Sequence, residues 1–174
     1  RFSISNTSYL SLTAVALFIK NWYVDFIYAE NGVGSQSIVS DSTATSYIQV
    51  RASGVIRIAN NSTVVTGTYS TSPNSIIRVQ ATDSEYLIYE NDTLVDTIGN
   101  GGGSWDVDTI GVIQLSSTPT YSNGALRYLD IDNQAKFLFM GGEYTEATDV
   151  LGSNDATFVN SPTWETGVDT IFEL

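Results

Sequence analysis

The chain has 174 residues, of which 42% are hydrophobic and 11% aromatic, a composition typical of a folded domain. Its 19 acidic and 7 basic residues give a formal net charge of −12, which repels nucleic acid and anionic membranes. The sequence contains no His and no Cys, which excludes a His general base, a thiolate nucleophile, a disulfide and the usual zinc site. We therefore predict no nucleic-acid partner.

The longest apolar stretch, residues 13–29, is interrupted by Lys20, Asn21 and Asp25. A membrane span needs about 20 consecutive apolar residues, so we predict no membrane insertion. The chain begins with Arg1 and shows no charged-then-apolar leader, from which we expect a processed product or an excised fragment.

Strands are predicted along the first third of the chain from alternation of apolar and polar residues. Residues 2–5 and 9–12 alternate, and residues 21–30 form the clearest strand. That strand has one apolar and one mixed face: Trp22, Val24, Phe26 and Tyr28 against Tyr23, Asp25, Ile27 and Ala29.

Two hairpins are predicted in the middle of the chain. Residues 46–52 and 55–59 pair across Ser53 and Gly54. Residues 86–89 and 94–98 pair across the polar tip 90–93, and we predict that this second hairpin is central in the sandwich. Further strands are expected at residues 63–69, 76–82, 108–115 and 121–132.

These elements predict an all-β protein, an antiparallel β-sandwich, because many short strands alternate with turn signals and no helical pattern is convincing. We predict a single domain over residues 1–174. Residues 151–174 either provide a closing strand or begin a following module.

The order of elements resembles the laminin G-like, concanavalin A-like jelly-roll family of lectins and glucanases. The resemblance lies in residues 9–12, 21–26, 85–97 and 121–131, where Asn123 and Gly124 match the family's entry into its penultimate strand. Residues 151–164 depart from the pattern, since they look like the segment that usually precedes the first strand. The resemblance implies a virion, phage-tail or bacterial surface protein, and so an extracellular or virion-surface location.

Catalysis is tested against the two enzyme classes of this fold. Its hydrolases carry Glu-x-Asp-x-x-Glu on one strand, but the nearest match, residues 105–111, lacks both glutamates. Asp130 and Asp132 share the i, i+2 spacing without a third acid, and the His that lyases of this fold use is missing. We predict that the protein is not an enzyme.

A glycan-binding face is predicted from basic residues on the polar phase of their strands. Tyr47, Gln49 and Arg51 alternate with apolar residues, as do Arg78 and Gln80. If these strands are neighbours, one sheet face joins these side chains, and Arg offers planar paired donors to a sugar or an acidic glycan. The alternative is a solvated face with cross-strand ion pairs.

Trp105 follows a glycine-rich segment and is a candidate for stacking on a sugar, because an exposed aromatic ring on a loop is costly without a use. The alternative is that Trp105 fills the end of the sandwich.

Calcium is a candidate ligand, since carboxylates and carbonyl oxygens in loops suit a hard cation. The candidate metal ligands are Asp130, Asp132 and Asp155, although no loop has EF-hand spacing.

Three functions follow from this sequence. The first is a non-catalytic carbohydrate-binding or adhesion module of a virion or cell-surface protein. The second is a structural or decoration module of a phage particle that packs against copies of itself or other virion proteins. The third, less favoured, is a glycan-cleaving enzyme.

Overall fold

The computed structural model describes residues 2–3, 9–17, 21–29, 34–99, 103–113, 120–121, 125–139, 146–147, 150–151, 154, 156–159 and 163–164. Its strands are β1 (Phe2–Ser3), β2 (Tyr9–Leu17), β3 (Tyr23–Ala29), β4 (Gln36–Ser40), β5 (Tyr47–Val50), β6 (Val55–Asn60), β7 (Thr63–Ser70), β8 (Ile77–Ala81), β9 (Glu85–Glu90), β10 (Thr93–Gly99), β11 (Trp105–Ile110), β12 (Val112–Ile113), β13 (Thr120–Tyr121), β14 (Ala125–Ile131), β15 (Ala135–Leu138), β16 (Glu146–Ala147), β17 (Ala156–Val159) and β18 (Thr163–Trp164). No helix in these ranges is long and apolar enough to cross a bilayer.

Two antiparallel sheets form a sandwich, which confirms the predicted fold class. Sheet A has the order β10-β9-β8-β3-β14-β1-β18, and β15 also pairs with β14. Sheet B has the order β16-β17-β2-β11-β4-β5-β6-β7, while β12 and β13 form a small separate ladder.

The core lies between the sheets and consists of alternate residues of their strands. Val24 and Phe26 of β3 are fully buried in sheet A, as are Ile48 of β5 and Ile58 of β6 in sheet B. Each such side chain contributes about 1.5–3 kcal/mol by leaving water. The predicted apolar face of residues 21–30 is the face that the core buries.

The hairpin of β9 and β10 is confirmed, but its predicted central position is wrong. Asn91 and Asp92 connect the strands with φ values of 48° and 62°, and two positive φ values suit a tight hairpin whose twist matches that of its strands. In the structure β10 is the edge strand of sheet A. The turn is a local property, whereas the place of a hairpin in a sheet depends on distant strands.

Two carboxylates join the edge of sheet A to the edge of sheet B. Asp96 of β10 accepts hydrogen bonds from the backbone N–H of Thr68 (2.6 Å) and Tyr69 (2.9 Å) in β7. Glu90 accepts from the Tyr69 hydroxyl (2.9 Å) and from the Ser72 N–H (2.8 Å). The carboxylate of Asp96 approaches β7 closely because Gly67 has no Cβ, which would lie 2.6 Å from Oδ2.

These contacts set the ionisation of both acids. Partial burial favours protonation, but the hydrogen bonds outweigh it, so the pKa of Asp96 and the pKa of Glu90 lie below their ordinary values. Because each carboxyl has a lower pKa in the folded than in the unfolded protein, its ionised form stabilises the fold at pH values above the unfolded-state pKa. This stabilisation is lost as the pH falls through the folded-state pKa.

We expect Asp96→Ala to lower the free energy of unfolding by about 1 kcal/mol at pH 7, because it removes charge-assisted hydrogen bonds at a solvent-accessible site. The difference from the parent should narrow as the pH falls below about 4, where the parent loses the same charge. Urea unfolding at pH 7 and pH 3 measures both quantities. The control is Asp106→Ala, an exposed acid of β11. Equal losses for the two variants, or a loss independent of pH, would contradict this assignment.

Candidate functional site

The residues predicted to form one glycan-binding face lie in different sheets. Arg78 and Gln80 belong to β8 of sheet A, whereas Tyr47 and Gln49 belong to β5 of sheet B. The predicted shared face is therefore wrong. Alternation identifies which side of a strand is polar, but it does not identify the neighbouring strand.

Tyr47 and Gln49 are also buried, with exposed fractions of 8% and 5%. Tyr47 packs against Ala59, and the guanidinium carbon of Arg57 lies 5.8 Å from the centre of its ring. Neither side chain is exposed as a ligand-binding face requires, so the prediction for this pair is corrected. Arg51 lies in the turn after β5 and not within a strand.

Trp105 is not an exposed platform. It is the first residue of β11, pairs with Leu17 of β2 and is 6% exposed. Its ring meets that of Trp22 edge to face at 6.1 Å, and Trp22 in turn contacts Tyr86 at 5.9 Å. The sugar-stacking prediction for Trp105 fails on this burial, and the structure favours the alternative in which Trp105 fills the end of the sandwich.

The outer side of sheet A has a line of four charged side chains, which we call the charged row: Arg78, Asp25, Asp130 and Lys136. They are successive partners across β8, β3, β14 and β15. Arg78 donates two hydrogen bonds of 2.7 Å to the two carboxylate oxygens of Asp25. Lys136 Nζ lies 3.4 Å from Asp130 Oδ2. Within the row, each of the two central carboxylates thus has a cation on the side away from the other carboxylate.

Tyrosine rings flank the charged row. The guanidinium of Arg78 lies 4.6 Å from the centre of the Tyr23 ring, and Lys136 Nζ lies 5.4 Å from that of Tyr128. The Tyr128 hydroxyl donates to Asp130 Oδ2 at 3.3 Å. Tyr89 of β9 is the cross-strand partner of Arg78 on the side away from Asp25. Each cation is held between a carboxylate and an aromatic ring, which fixes its position.

Two tyrosines and the two cations of this face have raised pKa values. Burial, followed by the charges of Asp130 and Asp25, raises the pKa of Tyr23. Burial also raises the pKa of Tyr128, despite its hydrogen bond with Lys136. Hydrogen bonds to Tyr128 and to Asp25, respectively, raise the pKa of Lys136 and that of Arg78. The phenols therefore keep their protons and the cations keep their charges.

Asp25 and Asp130 are direct cross-strand partners, a pairing that brings Cβ atoms within about 4.5–5.5 Å. Two carboxylates at such a separation invite comparison with a retaining glycosidase. A glycosidase needs both carboxyl groups to reach the substrate, but Asp25 and Asp130 are only 7% and 3% exposed and each contacts a cation. Because each carboxylate has its own cation, the arrangement suits binding better than acid catalysis.

The calcium prediction gains no support from the described residues, which include no group of three or more acids able to hold a metal ion. Asp130 binds Lys136, and Asp132, in the turn after β14, accepts hydrogen bonds from Gln134 (3.3 Å) and the Tyr23 N–H (3.3 Å). Asp155 lies outside the described residues.

Beside the charged row lie three apolar side chains, Ile27, Leu138 and Ile76, which we call the apolar row. Ile27 of β3 and Leu138 of β15 are the cross-strand partners of Tyr128. Leu138 is 38% exposed, and Ile76, on the same side of the chain as Arg78, is 41% exposed. The outer face of sheet A thus joins charged, aromatic and apolar side chains.

Only Arg78 and Gln80 of this face were predicted as ligand contacts. Tyr23 and Asp25 were recognisable as the non-core side of their strand, since their neighbours Trp22, Val24 and Phe26 are apolar. Their proximity to Lys136 required the pairing of β3 with β14, for which the sequence contains no local signal. The pairing of β14 with β15 is a local hairpin whose turn, at Asp132 and Asn133 with φ values of 51° and 53°, could have been recognised from these two turn-forming residues.

Comparisons with known proteins give a fold and no family. No protein-family model matches the chain, and no curated protein matches it in sequence. Among solved structures, the chain is similar to the crystal structure of a "putative carbohydrate binding protein" from Bacteroides ovatus, with a TM-score of 0.63 and 15% sequence identity. The match covers 93% of this chain and 58% of that one, so this chain spans a little over half of that protein's length. The likeness establishes a shared β-sandwich fold.

We expect Arg78→Met to lower the free energy of unfolding by about 1–3 kcal/mol, because it leaves the carboxylate of Asp25, whose side chain is 10% exposed, without its counter-ion. Replacing both partners, with Arg78→Met and Asp25→Leu, should recover most of the loss. Chemical denaturation measures each difference. The matched control is Arg57→Met, which removes a cation that has no carboxylate partner among the described residues. A double variant no more stable than the single one would refute this account of the pair.

Proposed function

We propose that the chain is a non-catalytic carbohydrate-binding or adhesion module of the laminin G-like, concanavalin A-like class, and that it binds glycan on the outer face of sheet A. The observation that carries the proposal is the charged row, held in register across four strands and flanked by tyrosines. The fold shared with the Bacteroides ovatus protein supports it, since that protein is described as a "putative carbohydrate binding protein".

The chemistry of this face suits a sugar. Pyranose rings present an apolar C–H side, which tyrosine rings contact, and hydroxyl groups, which need donors and acceptors at fixed positions. Tyr23 and Gln80 are cross-strand partners, so a ring and an amide lie side by side next to the Arg78 guanidinium. The ion pairs hold these groups in place before a ligand arrives, which reduces the entropy lost on binding.

The proposed location is extracellular or on a virion surface, in a protein where residues 1–174 form one domain. A net charge of −12 with only 15% charged residues suits a module that does not bind nucleic acid.

The apolar row supports a second candidate function. Leu138 and Ile76 are more than one third exposed on the same face. Exposed apolar side chains beside polar ones are common where proteins pack together. The outer face of sheet A is therefore also a candidate surface for a structural module of a phage particle, including one that forms a homo-oligomer.

A glycan array probed with the parent protein tests the first function. We expect Tyr23→Ala and Gln80→Ala to weaken binding of any recognised glycan by about tenfold each, because each removes one contact worth about 1–1.5 kcal/mol. Tyr69→Ala, at an exposed tyrosine of β7 in sheet B, is the control and should bind normally. Absence of any bound glycan, or equal binding by all variants, would refute the proposal.

Mass measurement in solution tests the second function. If the apolar row is a packing surface, the parent forms a closed oligomer and Leu138→Asp dissociates it, since burying an unpaired charge in an interface is unfavourable. Val64→Asp, at an apolar residue of β7 that is 44% exposed, is the control and should leave the mass unchanged. A monomeric parent, or an oligomer that resists Leu138→Asp, would argue against packing through this face.

A further inference from the structure

A cleft of about 260 Å³ lies at one end of the sandwich, away from the outer face of sheet A. Tyr28 of β3 contributes one wall, and the ends of β4 and β5, at Gln36 and Val50, contribute another. Arg51, in the turn that follows β5, and Pro73, in the link from β7 to β8, lie at its rim. We call this the Arg51 cleft. Its volume is just below the roughly 300–1,000 Å³ of pockets for drug-sized ligands, which suits one sugar ring better than a chain.

Hydrogen bonds that join β3, the link after β7 and the turn between β5 and β6 hold the walls of the Arg51 cleft. The Tyr28 hydroxyl donates to the Thr71 carbonyl at 2.8 Å. Both the hydroxyl and the N–H of Thr71 donate to the Gly54 carbonyl, at 2.7 and 3.1 Å. Gly54 has a φ of +81°, and a Cβ there would lie 2.5 Å from the Thr71 oxygen. The turn between β5 and β6 can therefore approach the link between β7 and β8 this closely only with glycine at position 54. Because these contacts lie within the fold, the cleft exists before any ligand binds.

Arg51 has an exposed side chain, and no described residue provides its guanidinium with a hydrogen bond or an ion pair. Its backbone N–H donates to the Val55 carbonyl at 2.9 Å, so the base of the side chain is held by the turn. Acids outnumber bases by 19 to 7 in the chain, so an arginine without an acidic partner is unexpected on composition alone. Arg78 and Lys136, by contrast, each have a carboxylate partner.

Gln36 supplies a second group without a partner. It is 2% exposed, and its Nε2 donates to the Ala29 carbonyl at 2.8 Å, which orients the amide. Its Oε1 is buried and accepts no hydrogen bond among the described residues. A buried acceptor without a donor costs about 1–3 kcal/mol, so a ligand hydroxyl that donates to it is favoured.

We propose that the Arg51 cleft binds a sugar that bears a carboxylate, of the uronic-acid class, independently of the outer face of sheet A. The planar guanidinium of Arg51 accommodates the carboxylate, and Gln36 Oε1 accepts from a ring hydroxyl. Val50 and Pro73 provide apolar contacts for the C–H side of the ring. A neutral sugar lacks the group that Arg51 requires, and a simple carboxylate lacks the hydroxyl that Gln36 requires.

Titration calorimetry with three probes tests this ligand class. We expect D-glucuronate to bind at least about tenfold more tightly than D-glucose or acetate, because a hydrogen bond to a charged group is worth about that factor. Arg51→Gln should abolish the preference for glucuronate over glucose. Arg57→Gln, which removes a cation of the same sheet outside the cleft, should retain it. Equal affinity for glucuronate and glucose, or a preference that survives Arg51→Gln, would overturn the proposal.

A second variant separates this site from the proposed glycan face. Tyr23→Ala should leave glucuronate binding unchanged while it weakens the glycans found on the array. If Tyr23→Ala removes glucuronate binding, the uronate binds to sheet A and the Arg51 cleft is not its site. Gln36→Leu, checked for a folded circular dichroism spectrum, should weaken glucuronate more than acetate, and an equal effect on both probes would refute the hydroxyl contact.

Discussion

Burial of one side of each sheet is the constraint on which the other features depend. Because side chains alternate along a strand, a strand that places Val24 and Phe26 in the core must place Asp25 on the opposite side. Within sheet A, β3 lies between β8 and β14, so its residues have partners on both sides. The same pairings that align apolar residues inside therefore align Arg78, Asp25, Asp130 and Lys136 outside. The charged row is a consequence of how the core is packed.

Because acids outnumber bases by 19 to 7, the partner of each cation indicates what its charge does in the structure. Asp25 and Asp130 need a partner because they are nearly buried, and Arg78 and Lys136 satisfy them. At the sheet edges, backbone N–H groups of β7 perform the equivalent role for Asp96. These N–H groups are then unavailable to another strand, which protects an edge that is otherwise open to aggregation. Arg51 differs from Arg78 and Lys136 because no carboxylate among the described residues pairs with it.

The two proposed sites follow from different geometries. The outer face of sheet A is broad and has rings, amides and charges in register, as an extended glycan requires. The Arg51 cleft is small and lies where the two sheets meet, as a single acidic residue requires. A module with both would distinguish glycans by the position of a carboxylate, whereas the fold shared with a protein 15% identical in sequence does not by itself imply either site.

The sequence by itself determined the features that depend on near neighbours. The all-β class, the apolar side of residues 21–30 and the turn at Asn91 and Asp92 all follow from alternation and turn chemistry, and all agree with the structure. Which strands are neighbours was decided only by the tertiary structure, because apolar burial rewards any pairing that closes a core and a strand does not encode its partner. For this reason Tyr47 and Gln49 were joined wrongly to Arg78, Tyr128 and Lys136 were not recognised beside Asp25, and the choice between an exposed and a buried Trp105 stayed open. The fold class was predictable from the chain, whereas the composition of the candidate site required the assembled sheets.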